Sequence, residues 1–191
     1  AAELQSRLVQ QGETLDPSVE QLRIKTSGCF NSCGQHHIAD LGFYGVSRNI
    51  GGYAVPHFQV VLGGKWLDNG GAYGLASMAI PSKRIPEVVD RITKRFVDER
   101  HEHETFQDYT QRVGKRAFKE MLDDLATVPA HDLQPDYYSD WGDPREFTLG
   151  DMGIGECAGE VVSLTEFDLA AAEAQIFEAQ LRLEEAHPAE A

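Results

Sequence analysis

Ser27-Gly28-Cys29-Phe30-Asn31-Ser32-Cys33-Gly34-Gln35-His36-His37, running on into Ile38-Ala39-Asp40-Leu41-Gly42-Phe43-Tyr44-Gly45, carries two of the three cysteines of the 191-residue chain. A C-x3-C pair in a helical or tightly turned segment sets two sulfurs roughly one helical turn apart, where both can face one soft metal centre. Two ligands do not close such a site. The remaining cysteine, Cys157, lies far downstream, and a four-iron four-sulfur cluster takes four thiolates. The spacing alone is open to two buried thiols. A zinc site using Cys29, Cys33 and either His36 or His37 is the next option, for which the sequence offers no convincing fourth ligand.

Working outward from this segment, Leu22, Ile24 and Thr26 alternate with Arg23 and Lys25, the pattern of a half-buried strand leading into the cysteine loop. Glycines in that loop allow close backbone approach, and exposed N–H groups there can stabilise thiolate charge. A second strand is expected over residues 38–46 and a third over Phe58-Gln59-Val60-Val61-Leu62, with a hairpin-like turn at Gly51-Gly52. Residues 63–81 are rich in glycine and small side chains and read as a wrapping loop rather than a core element, of the kind that often borders a cofactor. Val88, Val89, Ile92, Phe96 and Val97 then recur at helical spacing and predict a helix over 86–102. Thr105-Phe106-Gln107-Asp108 caps a short helix ending before Gly114, and Phe118, Met121, Leu122 and Leu125 mark another, ending by Pro129.

Upstream, residues 1–21 form a lead-in with Leu4, Leu8 and Val9 at helical spacing and a helix start at Asp16-Pro17-Ser18. Downstream, the composition changes near 127–129. Residues 1–125 hold 15 Lys and Arg against 16 Asp and Glu, whereas residues 126–191 hold 2 against 15, most of the net charge of −14. We therefore divide the chain into a body over 22–127 and an acidic extension over 128–191. Tyr137, Tyr138 and Trp141 are expected to anchor the extension's first part. A Gly-rich loop then surrounds Cys157, and an amphipathic helix opens at Thr165 and ends by Pro188. Cys157 reads as a structural or idle thiol, because Glu156 and Glu160 beside it would raise its pKa.

With no uncompensated basic face, the chain is not expected to bind nucleic acid. No run of about 18 apolar residues predicts a membrane span. Neither a basic leader nor an apolar stretch opens the sequence, so it reads as cytoplasmic. The absent initiator Met also fits a piece of a longer polypeptide, and three cysteines argue for reduced thiols or metal ligands over a disulfide framework.

Four stretches in fixed order carry a family resemblance: Gly28-Cys29-Phe30-Asn31-Ser32-Cys33-Gly34, Ala39-Asp40-Leu41-Gly42-Phe43-Tyr44-Gly45, Phe58-Gln59-Val60-Val61-Leu62-Gly63-Gly64, and Phe106-Gln107-Asp108-Tyr109-Thr110-Gln111-Arg112-Val113-Gly114. Together they resemble the C-terminal half of siroheme-dependent nitrite and sulfite reductases over about residues 22–125. The loop is also similar to the three-cysteine loop of radical enzymes, but His36 stands where that family needs its third cysteine. The reductase resemblance implies an α+β or α/β fold, a mixed sheet covered by helices. It implies a four-iron four-sulfur cluster and siroheme as cofactors, with Cys29 and Cys33 as two of the four cluster ligands and Cys33 bridging to the siroheme iron. Asn31 and Gly34 would also belong to the cofactor-binding residues, Asn31 shaping the loop between the ligands and hydrogen-bonding near the cofactor. His36 and His37 replace the small or basic residues expected there and would lie near the siroheme carboxylates.

The resemblance further implies six-electron reduction of sulfite to sulfide or nitrite to ammonia. The electron donor would be a ferredoxin or a flavoprotein, for which Lys83, Arg84, Arg91, Lys94 and Arg95 offer a candidate basic face. The family's other cysteine pair, C-x5-C, and its anion-holding basic residues lie upstream and are absent here. The chain would carry half a cofactor site, no catalytic residue of its own, and would depend on the upstream half of the polypeptide. A different class of function is a non-catalytic interaction module on the same half-fold, binding zinc through Cys29, Cys33 and His36.

Overall fold

Gly51 and Gly52 set the first turn of the sheet. Their φ values of +62° and +92° are the left-handed ones that a two-residue hairpin loop requires and that glycine reaches without a Cβ clash. In the computed structural model the strands on either side, β2 (Leu41–Ile50) and β3 (Tyr53–Leu62), pair antiparallel from Ile50↔Tyr53 to Leu41↔Leu62. The structure describes residues 2–11, 15–67 and 70–148. The chain divides into two compact units, Ala1–Leu149 and Gly150–Ala191, and the described residues belong to the first. The Gly-rich loop around Cys157 and the helix expected from Thr165 lie outside the described residues.

β1 (Ile24–Ser27) lies beside β2 in parallel, with Ile24↔Leu41 and Ser27↔Tyr44 opposite each other. Parallel neighbours need a crossover of about a dozen residues, commonly a helix. Here residues 28–40 make that crossover with turns and one 3₁₀ segment, His36–Ile38, and this is the cysteine segment. The four-stranded sheet places these three strands in the order β1-β2-β3 and adds a fourth beyond β3, and it is mixed in direction.

Its last member, β6 (Leu75–Pro81), corrects the sequence expectation of a wrapping loop over 63–81. It pairs antiparallel with β3, with a register shift between Gln59 and Val61. Its side chains are mostly small and give little periodic signal. As an edge strand it is held by backbone pairing to β3, and Pro81 at its end removes no needed donor. Two short strands, β4 (Lys65–Leu67) and β5 (Gly70–Ala72), form a separate ribbon just before it.

Helices α1 (Ala2–Gln11) and α2 (Pro17–Glu20) precede the sheet, α2 starting where the Asp16 side chain accepts from the Ser18 N–H. Helix α3 (Ile85–Glu99) buries Ile85, Val88, Val89, Ile92 and Phe96, one face at 3.6-residue spacing. It ends three residues short of the expected position because Arg100 turns extended, stacking on Phe96 at 5.7 Å and pairing with Asp16 at 3.7 Å. Helix α4 (Phe106–Leu122) starts at Thr105, whose hydroxyl accepts from the Asp108 N–H. Gly114, at φ +79° and ψ 154°, breaks it into the two expected helices.

These helices cover the sheet face formed by Leu41 and Phe43 of β2, Val60 and Leu62 of β3 and Ile80 of β6. Phe96, Phe106, Tyr109 and Phe118 interlock there with ring centroids 5.2–6.2 Å apart. The architecture is thus α+β, a mixed sheet covered by helices.

Beyond α4, residues 127–148 return along the sheet as a strap. Tyr138 is buried, with its hydroxyl donating to the Pro129 carbonyl. The Trp141 indole N–H donates to the Ser82 carbonyl at 2.9 Å, and Lys83 lies over its ring. His131 stacks on Tyr53 with centroids 4.2 Å apart.

Candidate cofactor site

The cysteine segment is tightly turned rather than helical. The Gln35 N–H donates to the Ser32 carbonyl, closing a turn with Cys33 and Gly34 at its centre. Ser32 and Gln35 on either side sit at φ +61° and +57°, values that cost a side-chain-bearing residue about 1 kcal/mol or more and that tend to collect at functional loops. Cys33 is exposed, Cys29 half-buried, and neither is in a disulfide. Asn31 is exposed between them.

Three pairs of close contacts hold this loop, and each explains a glycine. At its start, the Gly28 carbonyl lies against Gly45, where a Cβ would stand 2.2 Å from that oxygen. At its far side, the His36 carbonyl lies against Gly42, at 2.0 Å from where a Cβ would be. Gly34 sits on the end of β1, 2.4 Å from the Thr26 carbonyl by the same measure. Gly42 and Tyr44 alternate with the core residues Leu41 and Phe43, so they face away from the helices. His36 meets both, its ring 4.7 Å from that of Tyr44. The 3₁₀ segment of the crossover therefore packs on the sheet face that the helices leave open, whereas Gly45, alternating with Tyr44, meets the Gly28 carbonyl on the other face.

The end of the loop is tied down from two directions. Asp40 accepts from the Arg23 backbone N–H at 2.9 Å and from its guanidinium at 2.8 and 3.2 Å, clamping the entrances of β1 and β2 together. Gly63 and Gly64 donate to the carbonyls of Asp40 and Ala39, and Gly74 donates to that of His37. Gly63, at φ +71°, abuts the Thr110 hydroxyl of α4. The four stretches read from the sequence thus converge on one place in the fold.

The histidines do not turn toward the thiols as a zinc set would need. His36 is buried, with Nδ1 2.9 Å from Ser27 Oγ. Burial, and then the neighbouring His37, push its pKa below 6.5 and keep it neutral. His37 is hydrogen-bonded through Nδ1 to the Ser32 hydroxyl and packs edge-on against Tyr73. Among the described residues, no group of three or more His, Cys, Asp and Glu side chains is arranged to hold a metal ion.

Two free thiols on a strained, anchored turn do fit half of the thiolate set of a four-iron cluster. The basic face on α3 is largely neutralised. Arg84 pairs with Glu87, Arg91 with Glu87 and Asp124, and Arg95 with Glu99.

Sequence reasoning passed over Ser27, Gly42, Gly45 and Thr110 as functional residues, although each lies in or beside a quoted stretch. Glycine at every second or third position of a strand was the available signal, since it marks close approach by another backbone.

Residues 19–129 match the family described as the nitrite and sulphite reductase 4Fe-4S domain. The chain belongs to that family. Among its relatives, a ferredoxin sulfite reductase of Mycobacterium tuberculosis is 36% identical over 113 residues, 58% of this chain and 20% of the relative. An assimilatory ferredoxin-dependent nitrite reductase of Haloferax mediterranei is 27% identical over 124 residues, 63% of this chain and 21% of the relative. The solved structure of the M. tuberculosis NirA protein superposes with a TM-score of 0.50 at 34% identity, covering 61% of this chain and 21% of that one. The chain spans about a fifth of the length of these relatives. No helix among the described residues is long and apolar enough to cross a membrane.

Proposed function

We propose that this chain is the C-terminal cofactor-binding part of a siroheme reductase that converts sulfite to sulfide or nitrite to ammonia. The observation that carries the reading is the close backbone anchoring of the loop bearing Cys29 and Cys33, at Gly28 against Gly45, His36 against Gly42 and Gly34 against Thr26.

In this reading Cys29 and Cys33 would hold two of the four thiolate positions of a four-iron four-sulfur cluster, with Cys33 also the residue nearest the siroheme. The cofactors, once bound, would supply the six-electron redox chemistry. The role of the chain is positional. Gly42 and Gly45 let the loop lie directly on β2, the Arg23–Asp40 clamp fixes its exit, and Asn31 and Gly34 shape the turn between and after the thiols. Two more thiolates and the groups that hold the anion come from the upstream half of the polypeptide, so the chain alone is inactive. The electron donor is a ferredoxin or a flavoprotein, and the site works in the cytoplasm.

Anaerobic reconstitution of the whole reductase polypeptide carrying this chain with ferrous iron and sulfide, against a parallel incubation with zinc, tests the reading. Iron with acid-labile sulfide, lost on Cys29→Ser or Cys33→Ser and indifferent to Cys157→Ser, is the expected outcome. Stoichiometric zinc held through Cys29, Cys33 and His36, with iron and sulfide refused, would point to the interaction module instead.

A further inference from the structure

The loop has an internal brace that its thiols do not explain. Ser27 is 4% exposed and ends β1. Its Oγ accepts from the Gly34 N–H at 3.1 Å and is 2.9 Å from His36 Nδ1. One hydroxyl therefore joins the residue following Cys33, the 3₁₀ segment that follows the turn, and the strand that precedes it. The Gly34 N–H belongs to the peptide that carries Cys33, so the bond to Ser27 fixes the plane of that peptide and the direction from which the Cys33 side chain departs. His36 holds the hydroxyl in place from the other side. Its ring is wedged on Tyr44, and its carbonyl rests on Gly42, so it has little room to move.

We propose that Ser27 and His36 act as one positioning unit that pre-sets the Cys29–Cys33 turn for metal capture. This deepens, and rests on, the reading of the two cysteines as a metal-holding pair. A hydrogen-bonded group behind a ligand orients it and raises its affinity, and losing such a partner typically costs 10–100-fold in affinity. Here the brace acts through the backbone beside the ligand. It therefore governs how often the two sulfurs point the same way before any metal arrives.

The prediction can be read without a loaded enzyme. The full chain is treated with phenylarsine oxide, a trivalent arsenical that bridges two nearby thiols, and the Cys29–Cys33 adduct is followed by peptide mapping. In parallel, amide exchange is measured at Gly34, with Val60 of the buried sheet as the folding control. Ser27→Ala is expected to slow bridged capture about tenfold, in the range of lost support behind a ligand. The same variant should speed Gly34 exchange by about the same factor while Val60 stays protected. Ser27→Thr, which keeps the hydroxyl, should restore both. His36→Ala should reproduce the Ser27→Ala effect, and the double variant should add little to either single one, as residues acting together do.

If the wild-type chain bridges arsenic and Ser27→Ala does so at the same rate with unchanged Gly34 exchange, the positioning role is overturned while the cysteine pair stands. If wild-type Cys29 and Cys33 fail to share one arsenic, the proposal falls together with the reading beneath it.

Discussion

At the scale of single residues, the glycines around the cysteine turn divide into those the fold needs and one it does not. A Cβ at Gly42 would meet the His36 carbonyl carbon and oxygen, both backbone atoms that cannot swing aside, whereas a Cβ at Gly28 meets nothing within 4 Å. Gly42→Ala is expected to destabilise by about 1–3 kcal/mol or more, as forced overpacking does. Gly28→Ala should stay within about 0.5 kcal/mol, the ordinary range for an unencumbered surface position. Urea unfolding of the two variants checks this, and equal midpoints would mean that the loop does not rest on β2.

The two cysteines were legible in the sequence because a thiol pair at fixed spacing is a chemical signal. Ser27 and His36 were not. A serine before a glycine reads as a turn, and nothing in the linear sequence reveals that its hydroxyl meets a residue nine positions later. The expectation that His36 lies near the siroheme carboxylates rested on nearness in sequence to Cys33; what the sequence did not reveal is that its Nδ1 meets Ser27 at the end of β1.

At the scale of elements, helices were the easiest part to read. Helix α3 announces itself through one apolar face, and the two halves of α4 through the Thr105 cap and the break at Gly114. Phe96 lies where both helices meet the sheet, 2% exposed and in ring contact with Phe106 and Tyr109. Phe96→Ala should cost about 3–5 kcal/mol through lost burial and a residual cavity. Thr105→Ala removes one cap and should cost about 1 kcal/mol. Denaturation midpoints rank the two, and a cap loss equal to the core loss would contradict the packing described.

Strand β6 was illegible for a physical reason. Residues 75–81 send Met78 and Ile80 toward the core, but the small side chains around them blur the alternation, and the preceding glycines imitate a loop. The glycine content of 63–74 does serve the cysteine segment, but through N–H groups donated to the carbonyls of His37, Ala39 and Asp40.

At the scale of the whole molecule, stability should depend on pH through two buried histidines. His57 in β3 is 4% exposed, with Nδ1 donating to the Val55 carbonyl at 3.0 Å. Burial lowers its pKa from 6.5, and nearby Arg48 works in the same direction. His36 shifts the same way. The unfolded chain takes up these protons near pH 6.5, while the folded chain resists until lower pH. Stability present above that value is therefore lost as pH falls from about 6.5 toward the folded pKa values. The urea midpoint should be lower at pH 5.5 than at pH 7.5, and a midpoint that is equal or higher at pH 5.5 would contradict the burial of both rings.

The same scale holds the central claim, that this family domain brings half of a shared metal centre to a larger assembly. The most direct measurement is the visible spectrum of the cofactor-loaded reductase carrying this domain, recorded anaerobically with iron and sulfide analysis, for wild type and Cys33→Ser. The account predicts that the variant loses both the cluster absorption and the thiolate-ligated siroheme signature, with iron and sulfide falling together. A Cys33→Ser protein that keeps an intact siroheme spectrum and its full iron and sulfide would contradict the assignment.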